Sequence, residues 1–195
     1  MWLFASVGCI FWYSEWQYNL PTPIPSGYRD VLPGTYIPLT NPLLKTKQGP
    51  LLIHFFNPDC PCSKFNLAYF KKIVAQYNSS VNFALVLVGN KMQHTPQSIQ
   101  QQFALSIPVF TDSNIAMLCG VYATPQAVLL TASNTLYYRG NYNKSRYCVS
   151  PGSEYAKMAI DSLLAIKQPP AFNRFALTPY GCAVPIPNNT LTSTQ

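Results

Sequence analysis

The sequence predicts one α/β domain built as a three-layer sandwich, with a mixed central sheet and helices on both faces. Two apolar runs, 51–56 and 81–88, are each followed by a segment of helical character, and this alternation is typical of neighbouring parallel strands. Two later strands flank the turn 132–135, which is the pattern of an antiparallel hairpin. With 195 residues, 48% of them hydrophobic, the chain suffices for one sizeable core but not for two ordinary domains.

The first strand and the helix after it are the most clearly marked elements. The apolar run Leu-Leu-Ile-His-Phe-Phe at 51–56 ends at Asn-Pro-Asp, as expected for a strand buried on both faces. Apolar residues then recur at helical spacing over 63–77, so a helix begins just after the strand ends. The other predicted elements are a helix at 96–103 capped by Thr95, strands at 109–111, 127–131 and 136–139, a helical turn at 114–118, and a helix at 154–166 capped by Ser153.

The sequence around this domain divides into further segments. Residues 1–18 are interpreted as an apolar N-terminal anchor or signal remnant, since 1–13 carry no charge. The uncharged stretch is shorter than the roughly 20 apolar residues that span a bilayer, and an apolar helix packed on the domain is the alternative. Residues 19–50 predict a Pro-rich tether with at most one short strand at 35–39. The domain itself occupies 51–167, and 168–195 predict an irregular C-terminal tail.

The charge pattern argues against nucleic-acid binding. The net charge is +7, but the cations are scattered singly, and only Lys71 and Lys72 are adjacent. A nucleic-acid-binding surface would show a basic stripe or patch. Charged residues make up only 10% of the chain, and such a neutral surface suits a protein near a membrane or in a bacterial envelope. We therefore predict no nucleic-acid partner.

Two of the six cysteines stand out by their position. Cys60 and Cys62, with Pro61 between them and Ser63 after them, lie at the turn from the first strand into the first helix of the domain. Free amides at a helix N-terminus favour negative charge, which lowers the pKa of a thiol there and produces the reactive thiolate. Asp59 is expected to tune the pKa of Cys60 or simply to form the turn. The spacing of the cysteines matches no zinc module.

The segment 55–63, Phe-Phe-Asn-Pro-Asp-Cys-Pro-Cys-Ser, resembles the active-site turn of the thioredoxin superfamily. The stretch 121–130, which contains Thr124-Pro125, is similar to the segment that places a cis-proline beside that turn, and 138–140 resembles the second hairpin strand. The resemblance covers about 51–166 and implies Cys60 as the nucleophile and Thr124-Pro125 as the wall against which a substrate chain lies. The Pro-rich extensions, the apolar N-terminus and the late Gly181-Cys182 step are most similar to membrane-tethered periplasmic redoxins of bacteria.

The cysteine spacing departs from the C-x-x-C pattern of thioredoxins, because the fourth position is Ser63. A Cys60–Cys62 disulfide would close a small strained ring, which favours disulfide donation or isomerisation. In the other alternative, Cys60 acts without Cys62, and its mixed disulfide with the substrate is resolved by an external thiol or by a distant cysteine. Cys148 and Cys182 are the candidates for that distant cysteine. Those two are also expected to form a structural pair in an oxidising compartment.

Two other functions remain open on the same fold. A thiol peroxidase would need Thr or Ser three residues before Cys60 and an arginine at the thiolate. Position 57 is Asn, and the sequence does not indicate that Arg139 or Arg146 lies at the thiolate. A Cu(I) chaperone would use the thiolates of Cys60 and Cys62 with the imidazole of His94, because soft sulfur ligands suit Cu(I).

The sequence thus predicts an envelope thiol-disulfide oxidoreductase that uses a C-x-C site for disulfide exchange with protein substrates. No cofactor is expected, except Cu(I) in the chaperone alternative. The expected partners are protein thiols or disulfides and a membrane-bound redox partner, and the N-terminus is expected to contact the membrane. The expected location is the bacterial inner membrane or periplasm, with the chain N-terminally anchored or secreted.

Overall fold

The computed structural model describes residues 2–39, 48–89 and 94–185, and the elements below are those of this part of the chain. The strands are β1 (Leu51–Phe56), β2 (Asn82–Leu87), β3 (Val109–Thr111), β4 (Ala123–Thr124), β5 (Gln126–Leu130), β6 (Leu136–Gly140) and β7 (Cys182–Ala183). The helices are α1 (Trp2–Asn19), α2 (Pro61–Tyr77), α3 (Pro96–Gln102), α4 (Ser113–Leu118), α5 (Tyr155–Leu164) and α6 (Arg174–Leu177).

The central feature is a five-stranded mixed sheet in the order β3-β2-β1-β5-β6. β1 runs parallel to β2 and antiparallel to β5, and β5 pairs antiparallel with β6. This confirms the predicted parallel start followed by an antiparallel hairpin. β4 and β7 form a separate two-stranded antiparallel sheet, which lies at the candidate site.

Apolar cores cover both faces of the sheet. Successive side chains of a strand point to opposite faces, so Leu52 packs in the core that contains Phe70 of α2 and Ile160 of α5. Its neighbour Ile53 packs in the other core, which contains Ile115 of α4. All six residues of β1 are buried, as predicted for a strand covered on both sides. The three-layer α/β arrangement is confirmed.

Two local predictions are wrong. Glu154, not Ser153, is the N-cap residue of α5, because the Ser153 hydroxyl donates instead to Asn143 Oδ1 at 3.1 Å and to the Ser150 carbonyl at 3.0 Å. The short strand predicted at 35–39 is reduced to an isolated bridge between Tyr36 and Thr135.

The N-terminal helix α1 presents large apolar side chains to its surroundings. Phe4 is 82% exposed, and Phe11 and Trp12 are each 70% exposed. These side chains are therefore not packed into a protein core, unlike in the alternative of a helix packed on the domain. Within the described ranges, no helix combines the length and apolar character needed to cross a bilayer.

The chain on both sides of 51–167 contributes residues that dock on the domain. Ile37, from the Pro-rich segment, is 1% exposed, and the Gly34 amide donates to the Leu136 carbonyl at 2.7 Å. At the other end, the Ala176 carbonyl of α6 accepts a hydrogen bond from the Asn141 amide at 2.8 Å. The prediction of an irregular C-terminal tail misses α6 and β7, whose few residues are too short to show a period in the sequence.

Candidate active site

The turn between β1 and α2 places Cys60 at the N-cap of α2. Pro61 fills the first helical position, where its missing amide costs no hydrogen bond. The side chain of Asn57 shapes the turn, because its Oδ1 accepts from the Asp59 amide at 2.9 Å while its carbonyl accepts from the Cys60 amide at 3.1 Å. The sulfur of Cys60 therefore lies at the positive end of a helix of 17 residues, as predicted.

The segment containing Thr124 and Pro125 lies directly against this turn. The Thr124-Pro125 peptide bond is cis, which confirms the conformation that the sequence resemblance implied. The Thr124 carbonyl oxygen is 3.7 Å from Cys60 Sγ, and the Thr124 side chain is fully buried. Two segments separated by some sixty residues of sequence are thus brought together at one sulfur atom.

Cys60 is joined by a disulfide to Cys182, across a sequence separation of 122 and a Cα–Cα distance of 6.0 Å. The predicted Cys60–Cys62 disulfide is therefore not the one present, and neither is the predicted Cys148–Cys182 pair. The reason is the β4–β7 pairing, which sets Cys182 opposite Thr124, beside Cys60. Of the alternatives stated for Cys60, a distant cysteine as its partner agrees with the structure.

Cys62 and Ser63 point into the domain at the first turn of α2. Both are fully buried, and Ser63 Oγ accepts a hydrogen bond from the Asn57 amide at 3.3 Å. Ser63 therefore stabilises the active-site turn from the buried side of α2. Cys62 takes part in no disulfide, although it is only two residues from Cys60.

Cys148 and Cys119 are thiols with little tendency to ionise. Burial raises the pKa of Cys148 to about 12, although Asn66 Nδ2 donates to its sulfur at 2.9 Å, which acts in the opposite direction. Burial likewise raises the pKa of Cys119 to about 12, and this thiol fills core space as a small apolar group. Neither thiol is prepared to act as a nucleophile at neutral pH.

Asp59 and His94 form a pair on the outside of the turn. His94 Nε2 is 3.3 Å from Asp59 Oδ1, with side-chain exposures of 32% and 66%. His94 thus contacts the residue next to Cys60, whereas the Cu(I) alternative requires its imidazole at the sulfurs of Cys60 and Cys62. In the described ranges, no group of three or more His, Cys, Asp or Glu side chains is arranged to hold a metal ion.

The two arginines considered for a peroxidase site have other partners. Arg139 Nη2 bonds to Asp30 Oδ1 at 2.7 Å, and its Nη1 donates to the Val31 carbonyl at 3.0 Å. The guanidinium of Arg146 lies 4.7 Å from the ring centre of Tyr147 and 5.6 Å from that of Phe65.

A family model described as "Domain of unknown function (DUF6436)" matches residues 34–183. The chain belongs to the DUF6436 family. The region matched to DUF6436 contains both cysteines of the disulfide and the cis-proline segment. No curated protein matches the chain.

Solved structures similar to this DUF6436 member include an uncharacterized conserved protein from Geobacillus kaustophilus, with a TM-score of 0.64 and 17% identity over 85% of this chain and 98% of that one. A hypothetical protein from Sinorhizobium meliloti gives a TM-score of 0.58 and 18% identity over 70% and 79% of the two chains. These likenesses show the fold alone. The strand order, Cys60 at the start of α2 and the cis-proline beside it make the DUF6436 fold thioredoxin-like.

Sequence reasoning missed the position of Cys182 and the role of Gly181. The sequence indicates Cys182 as a resolving or structural thiol but not its position in space, because nothing around it has the period of a helix or strand. The available signal was a Gly-Cys step after Tyr180 in a proline-containing tail. Such a step allows close backbone contact and supplies a sulfur.

Proposed function

We propose that this DUF6436 protein is a thiol-disulfide oxidoreductase of the bacterial envelope whose redox couple is Cys60 and Cys182. The observation that carries the proposal is the disulfide joining the cysteine at the N-terminus of α2 to a cysteine beside the cis Thr124-Pro125 bond. The substrates are protein thiols or disulfides, and a membrane-bound redox partner resets the site. An oxidising compartment is the setting in which such a disulfide persists.

The exchange proceeds in two steps. In the reducing direction, the Cys60 thiolate attacks one sulfur of a substrate disulfide, and the other substrate sulfur leaves as a thiolate. The Cys182 thiolate then attacks Cys60 Sγ in the mixed disulfide, which releases the second substrate sulfur and leaves the Cys60–Cys182 disulfide. The substrate has gained two electrons and, on protonation, two protons, and a partner dithiol must return two electrons to the protein. The oxidising direction is the reverse of these steps.

The surroundings of the two sulfurs support these roles. The free amides at the start of α2 stabilise the Cys60 thiolate, both as attacking group and as leaving group. The Thr124 carbonyl and the paired strand β7 set the position from which a second sulfur approaches Cys60. Cys148, with its raised pKa, lacks the thiolate character that resolution needs.

The test is reduction of insulin disulfides, with dithiothreitol as the electron donor, by wild type and single serine variants. We expect Cys60→Ser and Cys182→Ser each to lower the rate by at least about a hundredfold, because each removes a sulfur that bonds during turnover. Cys148→Ser is the matched control and should keep the wild-type rate. Cys62→Ser distinguishes a Cys60–Cys182 couple from a Cys60–Cys62 couple, since a C-x-C mechanism would make this variant as inactive as Cys60→Ser.

Three results would contradict the proposal. Unchanged insulin reduction by Cys60→Ser would exclude Cys60 as the nucleophile. Peroxide consumption through a sulfenic acid at Cys60, without disulfide exchange, would indicate the peroxidase. Cu(I) retained at one equivalent per reduced chain, without exchange activity, would indicate the copper chaperone.

We also propose that α1 binds the membrane surface. Its exposed aromatic and aliphatic side chains, including Phe4, Phe11 and Trp12, carry the kind of apolar area that partitions into the interface of a bilayer. Over residues 2–13 the helix carries no charged residue, and its apolar residues are spread around the axis instead of being confined to one face. This location would place the redox site close to a membrane-bound partner.

Co-sedimentation with vesicles of phosphatidylcholine and phosphatidylglycerol tests this location. We expect Phe11→Glu to lower the partition coefficient at least about tenfold, because it removes an exposed aromatic side chain that the bilayer would bury and adds a charge. Ile166→Glu is the control, since Ile166 is 95% exposed but lies outside α1. Equal losses in the two variants, or no sedimentation of wild type, would contradict membrane binding through α1.

A further inference from the structure

The C-terminal arm, residues 179–185, lies beside β4 and contains the two-residue strand β7. Within it β7 pairs antiparallel with β4, so that Cys182 stands opposite Thr124 and Ala183 opposite Ala123. The Val184 amide donates to the Tyr122 carbonyl at 2.9 Å, and Thr124 Oγ1 donates to the Cys182 carbonyl at 3.4 Å. The arm thus uses the backbone groups of β4 that would otherwise be open at Cys60.

The contact between the arm and β4 is so close that it requires a glycine. A Cβ atom at Gly181 would stand 2.1 Å from the Thr124 carbonyl oxygen and 3.5 Å from Pro125 Cδ. Gly181 also has a φ of +110°, a conformation that other residues rarely adopt. The residue directly before the sulfur-bearing position is therefore the one that decides whether a strand can lie here.

Contacts other than the disulfide also hold the arm. Its Tyr180 side chain is buried and donates to the Asn143 carbonyl at 3.1 Å, while Val184 is 5% exposed. On its other side, Thr22 bonds to the arm twice, from its amide to the Pro179 carbonyl at 2.8 Å and from Oγ1 to the Gly181 carbonyl at 3.3 Å. These contacts do not depend on the oxidation state of Cys182, so reduction alone leaves the arm in place.

From this geometry we infer that the arm is an internal competitor for the substrate strand. It occupies the edge of β4 along which an extended polypeptide would pair to bring its cysteine to Cys60, so arm and substrate exclude each other. The edge selects extended segments with a glycine directly before the cysteine, as in the arm itself. This inference rests on the proposed function and adds to it a substrate class and an occupant that must leave before a protein substrate binds.

The consequence for chemistry is an order of events. Cys60 is 1% exposed with the arm in place, so a protein disulfide reaches it only after the arm has left β4. Cys182 in turn reaches the mixed disulfide only when the substrate strand gives up the same edge. The attack of Cys60 on the substrate and the attack of Cys182 on the mixed disulfide are therefore separated by the exchange of the substrate strand for the arm on β4.

Iodoacetamide labelling of the fully reduced protein tests whether the arm covers Cys60. The modified fraction of Cys60 is measured by mass spectrometry after a short pulse, relative to Cys9, which is exposed on α1 and serves as an internal standard. We expect Gly181→Ala to raise the Cys60 labelling rate at least about tenfold, because its methyl group cannot be placed against Thr124. Gly34→Ala is the matched control, with a φ of +92° and nothing within 4 Å of the added methyl group, and should label as wild type does.

A second variant keeps the test decisive if Gly181→Ala fails to fold, as judged by circular dichroism. Val184→Ser weakens the apolar anchor of the arm away from Cys60, and we expect it also to raise Cys60 labelling above wild type. Labelling that is unchanged in the folded variants would overturn the inference.

Peptide binding tests the preference for glycine. The probe is the fluorescein-labelled peptide Thr-Pro-Tyr-Gly-Ser-Ala-Val-Pro, which has the sequence of 178–185 with serine in place of cysteine. We expect saturable binding to reduced Gly181→Ala, at least about tenfold weaker binding to wild type, and a similar loss when alanine replaces the glycine of the peptide. Equal binding of the two peptides, or no binding to the variant, would contradict the inference.

Neither readout requires turnover, so the two proposals can fail separately. If wild type does not reduce insulin but Gly181→Ala still raises the labelling of Cys60, the arm covers Cys60 and the oxidoreductase proposal is refuted. If wild type reduces insulin but Cys60 is labelled equally in all folded variants, the oxidoreductase proposal stands and the inference about the arm is refuted.

Discussion

A Cys182→Ser variant should accumulate a mixed disulfide between Cys60 and a protein substrate. The serine hydroxyl cannot attack the mixed disulfide, so the complex waits for an external thiol. An intramolecular thiol acts at an effective concentration far above that of external thiols, and we expect the lifetime of the complex to rise at least about a hundredfold. Cys148 and Cys119 are poor substitutes for Cys182, because burial raises the pKa of each thiol to about 12.

Non-reducing gels of the reduced variant mixed with a disulfide-containing substrate measure this effect. The trapped complex should migrate at the summed mass, disappear with dithiothreitol and be absent when Cys60 is also replaced by serine. Cys148→Ser, as the control, should form no lasting complex. If Cys62→Ser traps the substrate and Cys182→Ser does not, Cys62 is the resolving thiol and the proposed couple is wrong.

The second large effect concerns stability, which should fall on mild acidification because of His54. His54 is fully buried on β1, stacked on Phe70 with ring centres 4.4 Å apart, and its Nδ1 lies 2.9 Å from the Tyr142 hydroxyl. His54 is therefore a core histidine. Burial lowers its pKa from 6.5 to about 3, because a charged imidazole has no solvation in this core.

The direction of the pH effect follows from this lowered pKa. Below pH 6.5 the unfolded chain binds a proton at His54 that the folded protein does not, so stability is full above pH 6.5 and is lost as the pH falls toward 3. The slope approaches about 1.4 kcal/mol per pH unit. Between pH 6.5 and pH 4.5 the free energy of unfolding should fall by about 2 kcal/mol through this residue alone.

Urea denaturation of the oxidised protein at the two pH values tests this expectation, with His54→Phe as the variant. The phenyl ring keeps the stacking but does not titrate, so the variant should lose about 2 kcal/mol less than wild type over this interval. His94→Gln is the control, because His94 is partly exposed, and it should behave as wild type does. Equal pH dependence in wild type and His54→Phe would show that His54 is not the group responsible.

The fold could be predicted from the sequence because its central elements leave strong local patterns. The apolar run of β1 and the cysteine-containing turn before α2 lie where the sequence placed them. The same is true of Thr124-Pro125, whose position next to Cys60 was implied by resemblance to a known superfamily. Patterns of this kind are local or shared by many proteins, so a single sequence suffices to detect them.

The pairing of Cys60 with Cys182 could not be predicted in this way. It depends on backbone hydrogen bonds between two strands of two residues each, which leave no periodic signal. It also depends on Gly181, whose value lies in the absence of a side chain against Thr124. The spacing of the cysteines instead favoured Cys62, which is nearer in sequence but points into the core. Tertiary contact decided between the two.

The long separation of the paired cysteines makes the redox state a property of the whole domain. In the oxidised form, the chain from Cys60 to Cys182 is a closed covalent loop that encloses four of the five strands of the central sheet, leaving only β1 outside. A loop of this length lowers the entropy of the unfolded chain by an amount worth about 5 kcal/mol. Each electron pair that enters therefore opens this loop, so the event that regenerates the two thiols also lowers the free energy of unfolding of the whole domain, while the native contacts of the arm remain.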